Sequence, residues 1–345
     1  MKEVDFLIVG GGYAGTFLAH HLLQSHASFL LFTDNSRGAS QVSAGMVNPA
    51  VLKKFTTFWL AQEQIDLLIE VCREIESYTG ENYLIPESVH RIFHDENEQQ
   101  LWLKKAEKED LQPFLNPDFK SFPVILNPYK TGEVMQSCRL NVQSFFSGVH
   151  SYFIYRGFLA NEIFDYNEID LVTKTYKDIS FNKIIFCEGM GVKENPFFKE
   201  IEVHPNKGHH LNVKLSKSLN FKATVKKKHF LFPLEDNQYY YGGTYDRDQT
   251  EEGIDDKAVE QLKAGLREFY PHDFEVAEIH YGFRPTVKDR RPIIGSHKKF
   301  DFMYVFNGLG ARGVLNGCYF GKELSNHLLY GKDLPEEVRI ERFYK

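Results

Sequence analysis

Residues 5–15 read DFLIVGGGYAG, and this stretch decides the fold of the N-terminal part of the chain. Its first five residues are an apolar run with the composition of a buried strand, and three consecutive glycines follow. Gly10, Gly12 and Gly15 form the pattern G-x-G-x-x-G directly after the strand, which is typical of a turn that holds a dinucleotide pyrophosphate. The helix that follows would offer unpaired N–H groups and a partial positive charge to the phosphates. The alternative is a glycine-rich turn with no ligand.

The next residues complete a βαβ unit. Residues 16–24 have helical periodicity and residues 28–32, SFLLF, form a second apolar strand, which predicts two parallel strands joined by a right-handed crossover. An acidic residue at the end of the second strand usually binds the ribose hydroxyls. Asp34 is our candidate, although Thr33 occupies the position that strict spacing gives, and a turn-forming role for Asp34 is an alternative.

Length and composition describe a globular chain with no general attraction to nucleic acid or to an anionic membrane. The chain has 345 residues, which predicts two domains, and 42% of them are hydrophobic and 26% charged. The net charge is −6, so any attraction to a polyanion would have to come from a local basic face.

Cysteine usage and the N-terminal segment favour a cytoplasmic protein. None of the four cysteines lies in a CxxC pair and their spacing fits no zinc pattern, so we expect free thiols and no metal site. Residues 6–23 carry no Asp, Glu, Lys or Arg, but the glycine run and the pair His20-His21 argue against a membrane span. No small-residue cleavage site follows a cationic start, which argues against a signal peptide.

Periodicity predicts the later elements of the chain. We expect helices over residues 57–76, 96–108, 138–151 and 256–270, a strand over 88–94, an irregular stretch over 113–128, hairpin strands over 207–243, and a strand over 302–306 that runs into a helix.

Three later segments separate a flavin protein from a nicotinamide-dependent one, which the glycine pattern alone does not do. They are GASQVSAGMVNP at residues 38–49, YGFRPTVKDRRPIIG at 281–295 and VFNGLGARGVLNGCYFGKELSNHLLYG at 305–331. With these segments the chain resembles the D-amino-acid oxidase and glycine oxidase superfamily, which includes sarcosine-oxidase-like flavoenzymes. The resemblance implies non-covalently bound FAD and oxidation of a C–N bond in an amino acid or a secondary amine.

The resemblance also implies the architecture. The fold class would be α/β and α+β, with a Rossmann-type FAD-binding domain in three sequence segments and a β-rich substrate domain. We assign residues 1–80, 138–204 and 281–345 to the FAD-binding domain, and residues 81–137 and 205–280 to the substrate domain.

The cofactor contacts of the family carry over residue by residue. The serine-rich segment matches a loop that approaches the phosphates and the flavin, and Gly189 matches a glycine on the adenosine side, where Cys187 and Glu188 replace the usual small residues. The C-terminal loop opens a helix whose N-terminus, with Arg312, would stabilise negative charge on the reduced flavin. Ordinary turns are the alternative in each case. The cofactor-binding candidates are Gly10, Gly12, Ala14, Gly15, Asp34, Ser40, Ser43, Ala44, Gly45, Gly189, Gly308, Gly310, Ala311, Arg312 and Gly313.

The motif GFRP puts Arg284 where the family has the arginine that binds the substrate carboxylate. A planar guanidinium can clamp a carboxylate with two hydrogen bonds, and the alternative is a structural ion pair with an Asp or Glu. D-Amino-acid oxidases have a tyrosine where this chain has Phe230, so another residue would have to supply the hydroxyl. We name Tyr241 from the group Tyr239, Tyr241 and Tyr245, although Tyr239 and Tyr241 share one face of a strand and could equally be packing residues.

The resemblance therefore predicts a cytoplasmic enzyme that transfers hydride from a small amine or amino acid to FAD, with no nucleic-acid or membrane partner. Three rivals stay open: an amine dehydrogenase that avoids oxygen, a tRNA-modification oxidase like one half of a known bifunctional enzyme, and a flavin-binding subunit without turnover.

Overall fold

The computed structural model describes residues 2–34 and 37–344, which form six α-helices. Local chemistry sets several helix ends. The Asp95 side chain accepts a hydrogen bond from the Glu98 N–H at one N-terminus, Asp255 caps another, and Gly80 ends a third with a φ of 80°. The helices are α1 (Tyr13–Gln24), α2 (Ala61–Thr79), α3 (Glu96–Ala106), α4 (Val142–Tyr155), α5 (Asp256–Arg267) and α6 (Gly313–Tyr330).

The strands fall into two large sheets and two small ones. In chain order they are β1 (Lys2–Val9), β2 (Phe29–Thr33), β3 (Met46–Val47), β4 (Ala50–Val51), β5 (Thr56–Thr57), β6 (Leu84–Ile85), β7 (Val89–Ile92), β8 (Leu115–Lys120), β9 (Thr131–Val134), β10 (Cys138–Leu140), β11 (Leu159–Asn161), β12 (Ile169–Asp170), β13 (Thr175–Tyr176), β14 (Ile179–Phe186), β15 (His204–Leu215), β16 (Thr224–Lys226), β17 (Phe230–Pro233), β18 (Gln238–Gly242), β19 (Phe274–Thr286), β20 (Ile293–Ser296) and β21 (Met303–Asn307).

The first large sheet draws its strands from residues 2–33, 159–186 and 293–307. Its path runs β11-β2-β1-β14-β13-β12, and β21 lies parallel to β14 and pairs with β20. The parallel strands β1, β2 and β11 confirm the predicted crossover topology. Helices α1, α2, α4 and α6 share one apolar cluster that covers this sheet, and a second cluster, which includes Phe164 and Phe198, contains the remaining core residues of its strands.

The second large sheet runs β19-β15-β18-β17-β16-β7-β9-β8. Its β16–β7 pair is parallel and its other pairs are antiparallel. Helix α5 packs on one face through a cluster that includes Leu211, Tyr241 and Leu262. These two sheets confirm the mixed α/β fold with a Rossmann-type sheet, while the domain boundaries given above stay a prediction.

Three predicted elements differ from the structure. The helix predicted over residues 57–76 is α2, which begins only at Ala61, because Thr56 and Thr57 form β5 and pair with β4. The stretch predicted as irregular contains β8, an edge strand in which Pro117 is tolerated because its missing N–H costs no ladder bond there. The helix predicted from residue 138 begins only at Val142, because Asn141 caps α4 and the three residues of β10 pair with β3 and β6. Among the described residues, no helix combines the length and the apolar character that crossing a bilayer requires.

Candidate functional site

A cavity of about 770 Å³ runs from the glycine turn after β1 to the second large sheet. Its walls come from the start of α1, the loop before β3, the ends of β2 and β14, the loop before α6, and strands β15, β18 and β19. This volume lies within the range of ligand sites. Of the predicted site residues, those that line it are Gly10, Gly12, Ala14, Asp34, Ser40, Ser43, Ala44, Gly45, Gly189, Arg284, Gly310, Ala311 and Gly313.

The glycine turn forms a backbone cradle at the N-terminus of α1. Gly12 is the N-cap residue and no side chain caps the helix there. A Cβ on Gly12 would lie 2.9 Å from Ser40 Oγ, so only glycine leaves this space open. The Tyr13 N–H donates to Ser40 Oγ at 3.1 Å, and the Tyr13 and Ser43 hydroxyls lie 2.8 Å apart. These bonds hold the serine-rich loop against the helix N-terminus, where a phosphate is favoured.

Both ribose candidates lie at the adenosine end of the cavity. Thr33 is buried and Asp34 is exposed, and both line the wall. Both therefore remain candidates for the ribose contact.

Glu188 introduces a carboxyl group where the family usually has a small residue. It lines the cavity, together with Cys187 and Gly189. The Tyr166 hydroxyl donates to one of its oxygens, and Asn195 Nδ2 donates to the other at 2.8 Å. Burial raises the pKa of Glu188 to about 6. This end of the cavity therefore contains a carboxyl group that burial keeps partly protonated near neutral pH.

The loop before α6 contributes only some of its predicted residues. Gly310, Ala311 and Gly313 line the cavity, whereas Gly308 and Arg312 do not, and neither does Gly15 after β1. Gly308 instead faces Val287 and Ile293, and the Arg312 guanidinium lies 4.4 Å above the Phe58 ring. Burial, followed by repulsion from Arg290, lowers the pKa of Arg312. Direct contact of Arg312 with a ligand in the cavity is therefore not supported by its position.

Arg284 lines the cavity from strand β19. Its Nη1 donates to the Thr244 carbonyl at 3.0 Å, and its Cζ lies 4.3 Å from the centre of the Tyr245 ring. Among residues 2–34 and 37–344, no carboxylate lies within 4.0 Å of Arg284. The structural ion pair considered as an alternative is therefore absent from the described part of the chain.

The structure corrects the choice of tyrosine. Tyr241 is fully buried in the cluster between the sheet and α5, and it does not line the cavity. Tyr239 lies in the same cluster, where its hydroxyl accepts a hydrogen bond from the Leu219 N–H at 3.0 Å. Strand alternation makes both packing residues and turns Tyr240, between them, toward the cavity. The hydroxyl candidate is thus Tyr240, because the face of β18 that carries Tyr239 and Tyr241 packs against α5.

Tyr240 belongs to a group of rings close to Arg284. A Cβ on Gly243 would lie 3.0 Å from Arg284 Nη2 and 3.5 Å from the Tyr240 hydroxyl, so both groups border this glycine. The His210 ring stacks between Tyr240, at 4.4 Å, and His280, at 4.7 Å. Burial, with repulsion from His280 and Arg284, lowers the pKa of His210 to about 3, so His210 is neutral at physiological pH. Arg284 is then the main positive charge at this end.

His209 and His210 serve different roles although both border the cavity. His209 is buried and its Nε2 accepts a hydrogen bond from the Asp255 N–H at 3.1 Å, which ties β15 to the start of α5. His210 is the histidine that stacks in the ring group.

Comparisons with known proteins agree with this geometry. A protein-family model described as "DAO: FAD dependent oxidoreductase" matches residues 5–327. The chain is 22% identical to the uncharacterized oxidoreductase YurR of Bacillus subtilis, over 95% of each chain. It is 24% identical to the tRNA 5-methylaminomethyl-2-thiouridine biosynthesis bifunctional protein MnmC of Leptospira interrogans, over 49% of this chain and 32% of that protein. The fold is similar to glycine oxidase from Geobacillus kaustophilus, with a TM-score of 0.76, 18% identity and coverage of 97% and 96%.

Replacing Gly12 tests the cradle. Gly12→Val would put a branched side chain into the space where the turn meets Ser40, and overpacking of this kind costs about 1–3 kcal/mol. We expect FAD affinity to fall roughly tenfold to a hundredfold, and Gly12→Ala to have a smaller effect. The measurement is the FAD released per folded protein after acid precipitation. The melting temperature of the apoprotein, compared between Gly12→Val and the wild type, controls for general damage. If Gly12→Val bound as much FAD per folded protein as the wild type does, the glycine motif would be a turn with no role in cofactor binding.

Proposed function

Because this chain belongs to the DAO family of FAD-dependent oxidoreductases, we propose that it oxidises the C–N bond of a small amino acid or secondary amine that carries a carboxylate. The observation that carries this proposal is Arg284, which faces the cavity without a carboxylate partner in the described part of the chain and has the Tyr240 hydroxyl beside it. An arginine that faces a cavity without a carboxylate partner favours an anionic group on the ligand beside it.

The residues present fit FAD along the cavity. The cradle at Gly10 and Gly12 suits a pyrophosphate, because the glycines leave the backbone open to the cavity at the N-terminus of α1. Ser40 and Ser43 add hydroxyls, and the small residues Gly310 and Ala311 leave room for a ring system at the start of α6. Bound FAD supplies a two-electron acceptor for hydride from the substrate carbon next to nitrogen.

The chain's own residues then orient the substrate. Arg284 would hold the carboxylate through its free edge, since Nη1 is already fixed on the Thr244 carbonyl and Tyr245 supports the guanidinium plane. Tyr240 would donate its hydroxyl to the same group, because burial raises its pKa and keeps the proton on oxygen. The substrate carbon loses hydride and its nitrogen loses a proton, which gives an imine that water hydrolyses. His210, with a pKa of about 3, would accept a proton poorly, so we name no general base.

A second candidate is oxidation of an amine that is carried on RNA. The partial match to MnmC, whose name refers to tRNA biosynthesis, favours this candidate. The net charge of −6 weighs against nucleic-acid binding by the whole surface, so this candidate requires a local basic face beside the cavity.

The test of the proposed function is anaerobic bleaching of the flavin by a panel of amino acids and N-methyl amines. A carboxylated amine that reduces the flavin, while its amide or decarboxylated analogue does not, supports the proposal. Bleaching by amines without any requirement for a carboxylate would contradict it.

Arg284 should determine the affinity for carboxylates. A charge-assisted bidentate contact contributes about 1.5–3 kcal/mol, so Arg284→Ala should weaken carboxylate binding roughly tenfold to a hundredfold. Arg284→Lys should recover only part of this loss, because an ammonium group cannot present the same fork. The measurement is titration of the flavin absorbance with benzoate and pyrrole-2-carboxylate. If Arg284→Ala binds a carboxylate as tightly as the wild type does, the carboxylate role is wrong.

Tyr240 and Tyr241 form a matched pair of variants. Tyr240→Phe removes the hydroxyl at the cavity and should weaken carboxylate binding roughly threefold to tenfold in the same titration. Tyr241→Phe removes a buried hydroxyl that has no hydrogen-bond partner among the described residues, so binding and stability should change little. A loss of affinity in Tyr241→Phe that equals the loss in Tyr240→Phe would show that the hydroxyl at the cavity has no special role.

A further inference from the structure

Three arginines and a tyrosine from separate parts of the chain lie together beside the substrate end of the cavity. We call Tyr245, Arg290, Arg291 and Arg312 the arginine rim. Tyr245 lines the cavity and is 64% exposed, and Arg312 follows directly after Ala311 in the cavity wall. Arg312 lies within electrostatic reach of Arg290, Arg291 and Tyr245. The rim is therefore continuous with the wall that contains Arg284.

Aromatic rings hold two of these arginines in place. The Arg312 guanidinium lies 4.4 Å above the Phe58 ring, and the Arg291 guanidinium lies 4.3 Å above the ring of Trp59, which follows Phe58 in sequence. Arg284 rests in the same way on Tyr245, at 4.3 Å. Guanidinium groups fixed on rings lose little freedom when they bind a ligand, and their planar forks suit phosphate groups.

The rim carries positive charge that the protein does not neutralise by close contact. Among the described residues, no carboxylate lies within 4.0 Å of the guanidinium groups of Arg290, Arg291 or Arg312, whereas Arg91, Arg139, Arg339 and Arg342 each have one. Asp289, next to Arg290 in sequence, lies 2.9 Å from Arg342. An anion that binds from outside would therefore reduce the repulsion between the rim arginines.

We propose that the arginine rim binds the phosphodiester backbone of an RNA strand whose modified base reaches into the cavity. This inference rests on the second candidate under the proposed function. Phosphates would contact the guanidinium groups, and the exposed Tyr245 ring would stack on a base at the cavity mouth. An acidic protein would satisfy the charge but would not need an exposed ring at that position, so the observations favour RNA.

The test uses the wild-type holoenzyme and a double variant, Arg290→Gln/Arg291→Gln. The probe is a fluorescein-labelled oligouridylate of about 15 nucleotides, whose binding is followed by fluorescence anisotropy. At about 50 mM salt we expect the wild type to bind and the double variant to bind roughly tenfold more weakly. The slope of log affinity against log salt should be smaller by about 1.4 in the variant, because each lost phosphate contact removes about 0.7.

Two controls keep the proposal open to failure. Lys104→Gln/Lys108→Gln removes the same charge from an exposed part of the chain outside the cavity walls and should leave the affinity for RNA unchanged. If the Arg290→Gln/Arg291→Gln variant bound the oligouridylate as tightly as the wild type does, the proposed role of the rim would be wrong. The same conclusion would follow if the wild type bound labelled polyglutamate at least as tightly as it binds the oligouridylate.

Titration of the wild-type flavin with benzoate is carried out in parallel. If the wild type binds carboxylates but does not bind RNA, the proposal for the rim alone is refuted. If the wild type does not bind carboxylates, the substrate proposal is refuted.

Discussion

The close contact between Gly15 and Gly10 is the constraint on which the rest of the structure depends. A Cβ on Gly15 would overlap the Gly10 carbonyl oxygen, so α1 can lie this close to the end of β1 only with glycine at that position. The contact aims the N-terminus of α1 at the cavity and brings Tyr13 to the two serines that it bonds. Helix α6 then packs on α1 through Gly313 and Gly317, whose missing side chains leave room for the Tyr13 ring. One short packing distance thereby fixes two walls of the site.

Burial favours the uncharged form of several side chains in the cavity wall. At the adenosine end, burial raises the pKa of Glu188 and favours its neutral form. At the substrate end, burial lowers the pKa of His210 and raises that of Tyr240, so both side chains are uncharged. Arg284 contributes a guanidinium group to the same wall. The distribution of charge in the cavity thus follows from which side chains can become neutral when they leave water.

The sequence predicts the backbone features of the site better than its side chains. The glycine turn, the βαβ unit and most helices follow from local patterns, because turn chemistry and periodicity depend on near neighbours in the chain. The choice between Tyr240 and Tyr241 depends on which face of β18 packs against α5, and no local pattern decides that. Gly308 and Arg312 match the family motif, yet neighbouring side chains turn them away from the cavity. Such outcomes are set by tertiary packing between distant segments.

Local sequence patterns and composition also do not predict where charged side chains gather on the surface. A net charge of −6 is a sum over the whole chain, whereas the potential that a bound anion meets comes from charges within roughly 8–10 Å at physiological salt. Residues 58–59, 245, 290–291 and 312 are far apart in sequence, and only the fold brings their rings and guanidinium groups together beside the cavity. Composition therefore argues against a protein that binds polyanions everywhere, but it leaves room for one that binds a polyanion at the mouth of its active site.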